Sequence, residues 1–340
     1  MTLVDRIISR RSLSIVGMAK NTGKTECLNY LVEKLHERGK RVGLTSVGLD
    51  GERVDQVTRT RKPEIKVREQ TVFVTSERHY REKRLVAEIL EVSDRQTALG
   101  RLVTARAVTP GTVILSGPSD TRSLREWIDG AERFGVDISL AEGALSRLSP
   151  GSPAVAEGLI LATGAAVSGD ISRLTRETCR VRELTRLEAV DEETRRKLSG
   201  IEQGVWGIDE EGNASDLQIP SALLLEQHKE RIFSRGVTLF VAGVVNDALL
   251  RFAGMREGVT VIARDFTRVF AGEESLRVFA RNGGKLRVLL RSELVAVCIN
   301  PLSPRGYRLD SDALAEALWE RLGVPVYDVK RMDEYRIWHG

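Results

Sequence analysis

The stretch Gly17-Met-Ala-Lys-Asn-Thr-Gly23-Lys24-Thr25 constrains this chain more than any other. It follows residues 13–17 (LSIVG), a short apolar run that reads as a buried strand. After it, residues 26–38 carry Leu28, Leu31, Val32 and Leu35 at helical spacing until Gly39 stops the helix. Strand, glycine-bounded turn and helix in that order are the setting in which such a loop acquires meaning. The first turn of a helix has unpaired backbone N–H groups and a positive dipole end, so it attracts phosphate. Gly23 would let the backbone approach phosphate oxygens closely. Lys24 would bridge β- and γ-phosphates, and the Thr25 hydroxyl would ligate magnesium.

The match to Gly-x-x-x-x-Gly-Lys-Ser/Thr has one irregularity. The pattern asks for its first glycine at Met18, whereas the glycine stands one position earlier, at Gly17. A signature lysine five residues before the loop lysine, as in partition-type ATPases, would fall on Ala19, and Lys20 lies four before instead. The loop nevertheless supplies a contiguous set for a nucleotide: Gly17, Lys20, Asn21, Thr22, Gly23, Lys24, Thr25 and Glu26. Lys24 is also one of two candidate catalytic residues.

A phosphate loop of this kind needs an acid at a nearby strand end, to hold magnesium or orient water. Glu142 follows residues 137–141 (DISLA), another buried-strand pattern, and is the second catalytic candidate as well as a metal candidate with Thr25. Asp50, after the strand expected at 42–47, stands where a switch loop carries a further acid of the magnesium shell; an ordinary turn aspartate reads nearly as well. Guanine-specific loops usually carry Asn/Thr-Lys-x-Asp, and none of the eleven lysines is followed two residues later by Asp. The expected cofactors are therefore ATP and Mg2+. Asn246 and Asn300 each follow an apolar run and could meet the adenine edge, or could equally be turn residues satisfying their own backbone.

Short β-branched runs alternate with amphipathic stretches along most of the chain, the rhythm of βα units on a largely parallel sheet. A hairpin is expected between residues 65 and 76, a helix over 80–92, strands at 101–108 and 112–116, and a helix over 124–134. Further strands are expected at 159–162, 237–241, 259–263, 295–299 and 325–329, with a helix over 314–322. Residues 168–230 are rich in Arg and Glu and read as helices plus a small insertion containing a Gly-rich turn at Gly204-Val-Trp-Gly207. With 340 residues, about two domains or one large α/β domain fit the length. The reading taken is one extended domain: a nucleotide-binding core at 1–167, a polar helical insertion or linker at 168–230, and an α/β segment at 231–340 completing the sheet.

Composition narrows the function classes. Lys plus Arg is 52 against 48 Asp plus Glu, interspersed rather than blocked, which is not the one-sided footprint of a dedicated nucleic-acid binder. Cys27, Cys179 and Cys298 are far apart, with no spacing for a disulfide framework or a zinc site. His36, His79, His228 and His339 show no metal spacing, and no Gly-x-Ser-x-Gly elbow supports a hydrolase. The first residues lack the cationic-then-apolar order of a signal peptide, and no apolar run approaches a membrane span. A cytoplasmic protein without membrane contact is expected.

The residues also resemble a known family. The string Ser14-Ile-Val-Gly-Met-Ala-Lys-Asn-Thr-Gly-Lys-Thr25, then Leu28-Asn-Tyr-Leu31, Gly43-Leu-Thr-Ser46 and Asp50-Gly-Glu52, resembles the P-loop subunit of the lysine 5,6-aminomutase reactivase. Leu115-Ser-Gly-Pro118, Gly143-Ala-Leu-Ser-Arg147, Leu161-Ala-Thr-Gly-Ala-Ala166 and Asn300-Pro-Leu-Ser-Pro304 continue the likeness in order. The family's strand-end acid is often Asp, whereas here it is Glu142. The resemblance implies a doubly wound, mostly parallel α/β P-loop NTPase of the class that includes signal-recognition GTPases and partition ATPases (SIMIBI-like), with insertions. It implies an ATPase acting with a MutS-like partner subunit to exchange damaged cobalamin on an adenosylcobalamin-dependent aminomutase. A homo-oligomer is left open. Two alternatives share the loop: the Glu142-Gly-Ala trio is similar to dethiobiotin synthetase, a ligase. The Gly-x-x-Lys-Asn-x-Gly-Lys-Thr string is similar to the molybdopterin-guanine dinucleotide adapter proteins, which are roughly half this length.

Overall fold

The structure, a computed structural model, describes residues 2–47, 64–144, 152, 155–220 and 228–331. Its elements begin with helix α1 (Leu3–Ile7), β1 (Ser12–Gly17), α2 (Lys24–Glu37), β2 (Val42–Ser46), β3 (Ile65–Val67) and β4 (Val72–Ser76). There follow α3 (Glu77–Glu82), β5 (Ala87–Thr97), β6 (Gly100–Ala107), β7 (Gly111–Val113), α4 (Thr121–Gly130), β8 (Ile138–Ala144), β9 (Gly158–Gly164) and α5 (Ile171–Thr185). Next come β10 (Glu188–Ala189), α6 (Glu192–Leu198), β11 (Val205–Ile208), β12 (Ala214–Ile219), α7 (Lys229–Ile232), β13 (Thr238–Val241), α8 (Asp247–Ala253) and β14 (Thr260–Ala263). The last are α9 (Glu273–Arg281), β15 (Lys285–Val288), β16 (Leu294–Asn300), α10 (Ser311–Leu322) and β17 (Val326–Tyr327). They form two compact units, one from residues 1–179 with 293–340 and one from 180–292.

The first unit is built on a nine-stranded sheet in the order β17-β16-β9-β1-β8-β2-β4-β6-β5. Pairing is parallel from β17 to β4 and antiparallel only at β4–β6 and β6–β5. β1 lies between β8 and β9, and all six of its residues are buried, which is why its sequence is a near-continuous apolar run. Side chains alternate across the sheet. Leu13 and Ile15 of β1, Ile138 and Leu140 of β8, and Ala296 and Cys298 of β16 share one cluster with Leu28, Leu31 and Leu35 of α2 and Leu3 and Ile7 of α1. Ala141 of β8 joins Leu124 and Ile128 of α4 in a separate cluster. The same alternation carries forward to the strand ends, so Gly17, Glu142 and Asn300 continue the rows that pack under α2.

The second unit has a six-stranded sheet in the order β10-β15-β14-β13-β11-β12. β10, β15, β14 and β13 run parallel, and β11 and β12 are antiparallel additions. Its core gathers Leu239 and Val241 of β13, Val261 and Ala263 of β14, and Leu249, Leu250 and Ala253 of α8. No helix among the described residues is long and apolar enough to cross a membrane.

Several sequence expectations are corrected. Residues 231–340 do not complete one sheet: β16 and β17 join the first, whereas β13, β14 and β15 belong to the second. The apolar runs of both sheets look alike, and pairing partners, not composition, assign them. The hairpin expected between 65 and 76 is absent, because β3 pairs with β7 and β4 lies between β2 and β6; Gln70, with φ 65°, turns the chain between them. The helix expected over 80–92 stops at Glu82, and β5 pairs antiparallel with β6 around a turn closed by Gly100 at φ 90°. Pairing along β6 overrides a helical pattern that local propensity allows. Gly204-Val-Trp-Gly207 is no turn from end to end, since Val205 opens β11.

Candidate phosphate-binding site

The loop leaves β1 at Gly17 and returns to α2 at Gly23, whose φ of 90° only glycine adopts without strain. Asn21 is also left-handed, at φ 62°. These two residues curl a loop that is one residue longer than the usual spacing. Inside the curl the buried Thr22 hydroxyl donates to the Ala19 carbonyl at 3.0 Å. A Cβ at Gly17 would lie 2.6 Å from Thr22 Oγ1 and 2.8 Å from Lys24 Cγ and Cδ. The stem of Lys24 therefore folds back over Gly17, and the displaced first glycine still meets the requirement for close approach.

The first-turn N–H groups of α2 have no partner inside the helix, and no side chain caps its start. Beside them, Thr25 Oγ1 donates to Glu142 Oε1 at 3.2 Å, joining the first turn of α2 to β8. Both are oxygen donors of the kind a hard cation such as magnesium takes, so this pair fits that ion. Among the described residues no group of three or more His, Cys, Asp or Glu is gathered.

The remaining expected site residues are distributed as follows. Lys20 is exposed on the loop. The Glu26 carboxylate, in the first turn of α2, pairs with Lys330 Nζ at 3.3 Å. Asn300 reaches the loop, but through its amide: Nδ2 donates to the Asn21 carbonyl at 3.0 Å, and Oδ1 accepts from Leu302 N at 3.2 Å. Asn246 belongs to the second unit, where its side chain caps α8 by accepting from Leu249 N at 2.9 Å. Asp50 lies outside the described residues.

Two contacts had no signal in the sequence reading. Cys27 of α2 and Cys298 of β16, both buried, have their sulfurs 3.2 Å apart. The hydrogen bond with Cys27, together with burial, pushes the Cys298 thiol well above the ordinary range. His79 is buried, and its Nδ1 lies 2.8 Å from Ser116 Oγ. Gly117 N nearby donates to Ser46 Oγ at 3.1 Å, seating the 115–118 segment against β2. Only the period-two placement of Cys298 and Asn300 on β16 hints at what that strand does under α2.

No protein-family model matches the chain, and no curated protein matches it. Among solved structures it is similar to that of pNOB8 ParA bound to nonspecific DNA, at 12% identity and a TM-score of 0.25, over 65% of this chain and 73% of that one. A likeness at that level carries no argument about activity. The α/β architecture with a mostly parallel central sheet stands on the strand pairing itself.

Proposed function

We propose that the chain binds a nucleoside triphosphate with magnesium at residues 17–25 and hydrolyses it. The observation that carries this reading is the Thr25–Glu142 pair, 3.2 Å apart at an uncapped helix N-terminus. A hydroxyl and a carboxylate there answer a cation, and the first-turn amides answer an anion, which together suit a polyphosphate with its metal. Thr25 and Glu142 would hold the magnesium, which neutralises phosphate charge when bound. Lys24 would draw the γ-phosphate oxygens toward the helix. Glu142 would orient an attacking water through its carboxylate oxygen and accept its proton. Adenine is the proposed base, on the absence of the guanine-reading lysine motif.

The finer proposal is a reactivating ATPase that works with a MutS-like subunit to release damaged cobalamin from an aminomutase. Its support is the ordered residue strings described above, in which the loop and the segment after Asn300 both follow the carboxyl ends of parallel strands of the same sheet. The loop itself is tested first by calorimetry with Mg·ATP. Lys24→Ala removes a charge-assisted phosphate contact and should weaken binding by at least ~2 kcal/mol, roughly thirtyfold. Equal affinities for variant and wild type would remove the phosphate-site assignment.

A further inference from the structure

We propose that Asn300 is a positioning residue that sets the phosphate loop for any triphosphate, and that it does not read the base. The proposal rests on the nucleotide-binding reading and deepens it.

Asn300 is the last residue of β16, and its carboxamide is engaged at both ends by backbone groups. Nδ2 donates to the Asn21 carbonyl at 3.0 Å, while Oδ1 accepts from Leu302 N at 3.2 Å and so caps the turn that follows the strand. The backbone is pinned as well, since the Asn300 carbonyl accepts from Ala165 N at 2.9 Å. That approach is so close that a Cβ at Gly164, the register partner on β9, would lie 2.0 Å from Asn300 O. On the loop side, a Cβ at Gly23 would stand 3.0 Å from Asn300 Cβ. Asn300 is therefore held on three sides and packed against Gly23, the residue just before α2.

Its side-chain hydrogen bond to the loop falls on Asn21, which has the left-handed φ of 62°. Such a conformation is disfavoured for any residue with a side chain, least so for Asn, and needs an external hold to be the sole state of a loop. The Asn300 side-chain amide, through Nδ2, supplies that hold. A trans peptide points its carbonyl and its N–H to opposite sides. Anchoring the Asn21 carbonyl on β16 thus turns the Thr22 N–H away from that strand. The orientation of the 21–22 peptide is what an incoming phosphate meets, whatever base it carries. With one Nδ2–H committed to Asn21 and Oδ1 engaged by Leu302 N, the carboxamide is oriented by the loop and the turn rather than by a base edge.

The test measures wild type, Asn300→Asp and Asn300→Ala against Mg·ATP, Mg·GTP and base-free magnesium tripolyphosphate by calorimetry. Asn300→Asp retains an acceptor for Leu302 N but cannot donate to Asn21, so the turn after β16 survives while the loop contact is lost. Loss of one such hydrogen bond and of the loop's fixed geometry should weaken all three ligands by the same factor, about tenfold. A fall for ATP with tripolyphosphate unchanged would make Asn300 a base reader and overturn the proposal. Unchanged affinity for all three would overturn it too. Lys24→Ala separates the two layers: if it weakens binding while the Asn300 variants leave affinity unchanged, only the positioning role fails, and if it has no effect the phosphate site itself fails. Hydrogen–deuterium exchange without ligand gives a second readout. Peptides over 18–22 should exchange faster in Asn300→Asp, with β1 and the body of α2 unchanged. Uniform protection, or loss of protection throughout β16, would refute a local hold on the loop.

Discussion

Gly17 and Gly39 offer a paired test of whether the loop is a built cradle, because alanine is costly at each for a different reason. At Gly17 the contacts are the obstacle: an added Cβ would lie 2.6 Å from Thr22 Oγ1 and 2.8 Å from two carbons of Lys24. Carbon contacts normally begin near 3.5 Å, so these are short by about 1 Å, and overpacking of that size costs about 1–3 kcal/mol. The Lys24 stem is flexible and would be the first to yield, taking its ammonium out of register with the helix N-terminus. The buried Thr22 hydroxyl would follow, loosening its bond to Ala19. At Gly39 there is no neighbour within 4 Å, but φ is +71°. Alanine there meets only backbone strain, about 1–2 kcal/mol. The two variants should therefore lose similar stability in urea melts. Only Gly17→Ala should lose Mg·ATP affinity, by about tenfold or more, the weight of one weakened charge-assisted phosphate contact. A folded Gly17→Ala protein with wild-type affinity would refute the cradle, and an equal affinity loss in Gly39→Ala would show that the effect is general destabilisation.

Glu142→Gln keeps the shape of the side chain and removes its charge, so nucleotide should still bind while hydrolysis falls roughly 10²-fold; turnover is best followed with a MutS-like partner and an aminomutase inactivated by its damaged cofactor. Recovery of mutase activity at the wild-type rate in the Gln variant would assign Glu142 a structural role, and no ATP-dependent recovery with the wild type would sink the reactivase proposal. At the N-terminus, hydrogen bonds from the Thr2 backbone and hydroxyl and from Arg38 hold the Asp5 carboxyl at about 2, below its ordinary 3.8. Its folded form is thus favoured above about pH 4, and that contribution disappears as the pH falls through about 2. Asp5→Asn should flatten this part of the urea-midpoint profile, and an unaltered profile would show that the capping box of α1 does not contribute.

The loop and its flanks were legible because each signal is local. β1 advertises itself as a strand buried on both faces, α2 by its 28, 31, 32 and 35 spacing, and the loop by glycine, lysine and threonine in sequence. Glu142 was legible one step further out. Period-two alternation places it in the same row as Leu140 and Ile138, facing α2, so the type of strand already implied where its carboxylate points. What tertiary structure alone decided are choices among chemically equivalent partners. Residues 87–92 satisfy a helix and a strand alike, and only the run of partners along β6 selects the strand. The runs at 238–241 and 294–300 are equally apolar, yet one enters a six-stranded sheet and the other a nine-stranded one. Asn300 and Asn246 were equivalent as asparagines after apolar runs. One meets the loop 279 positions away, and the other caps the helix that begins beside it. Cys27 and Cys298 touch across 271 positions with no motif between them. Local propensity and periodicity are written in neighbouring residues, whereas strand order and long-range contacts are settled by which of many similar surfaces bury each other. That selection depends on the whole chain at once.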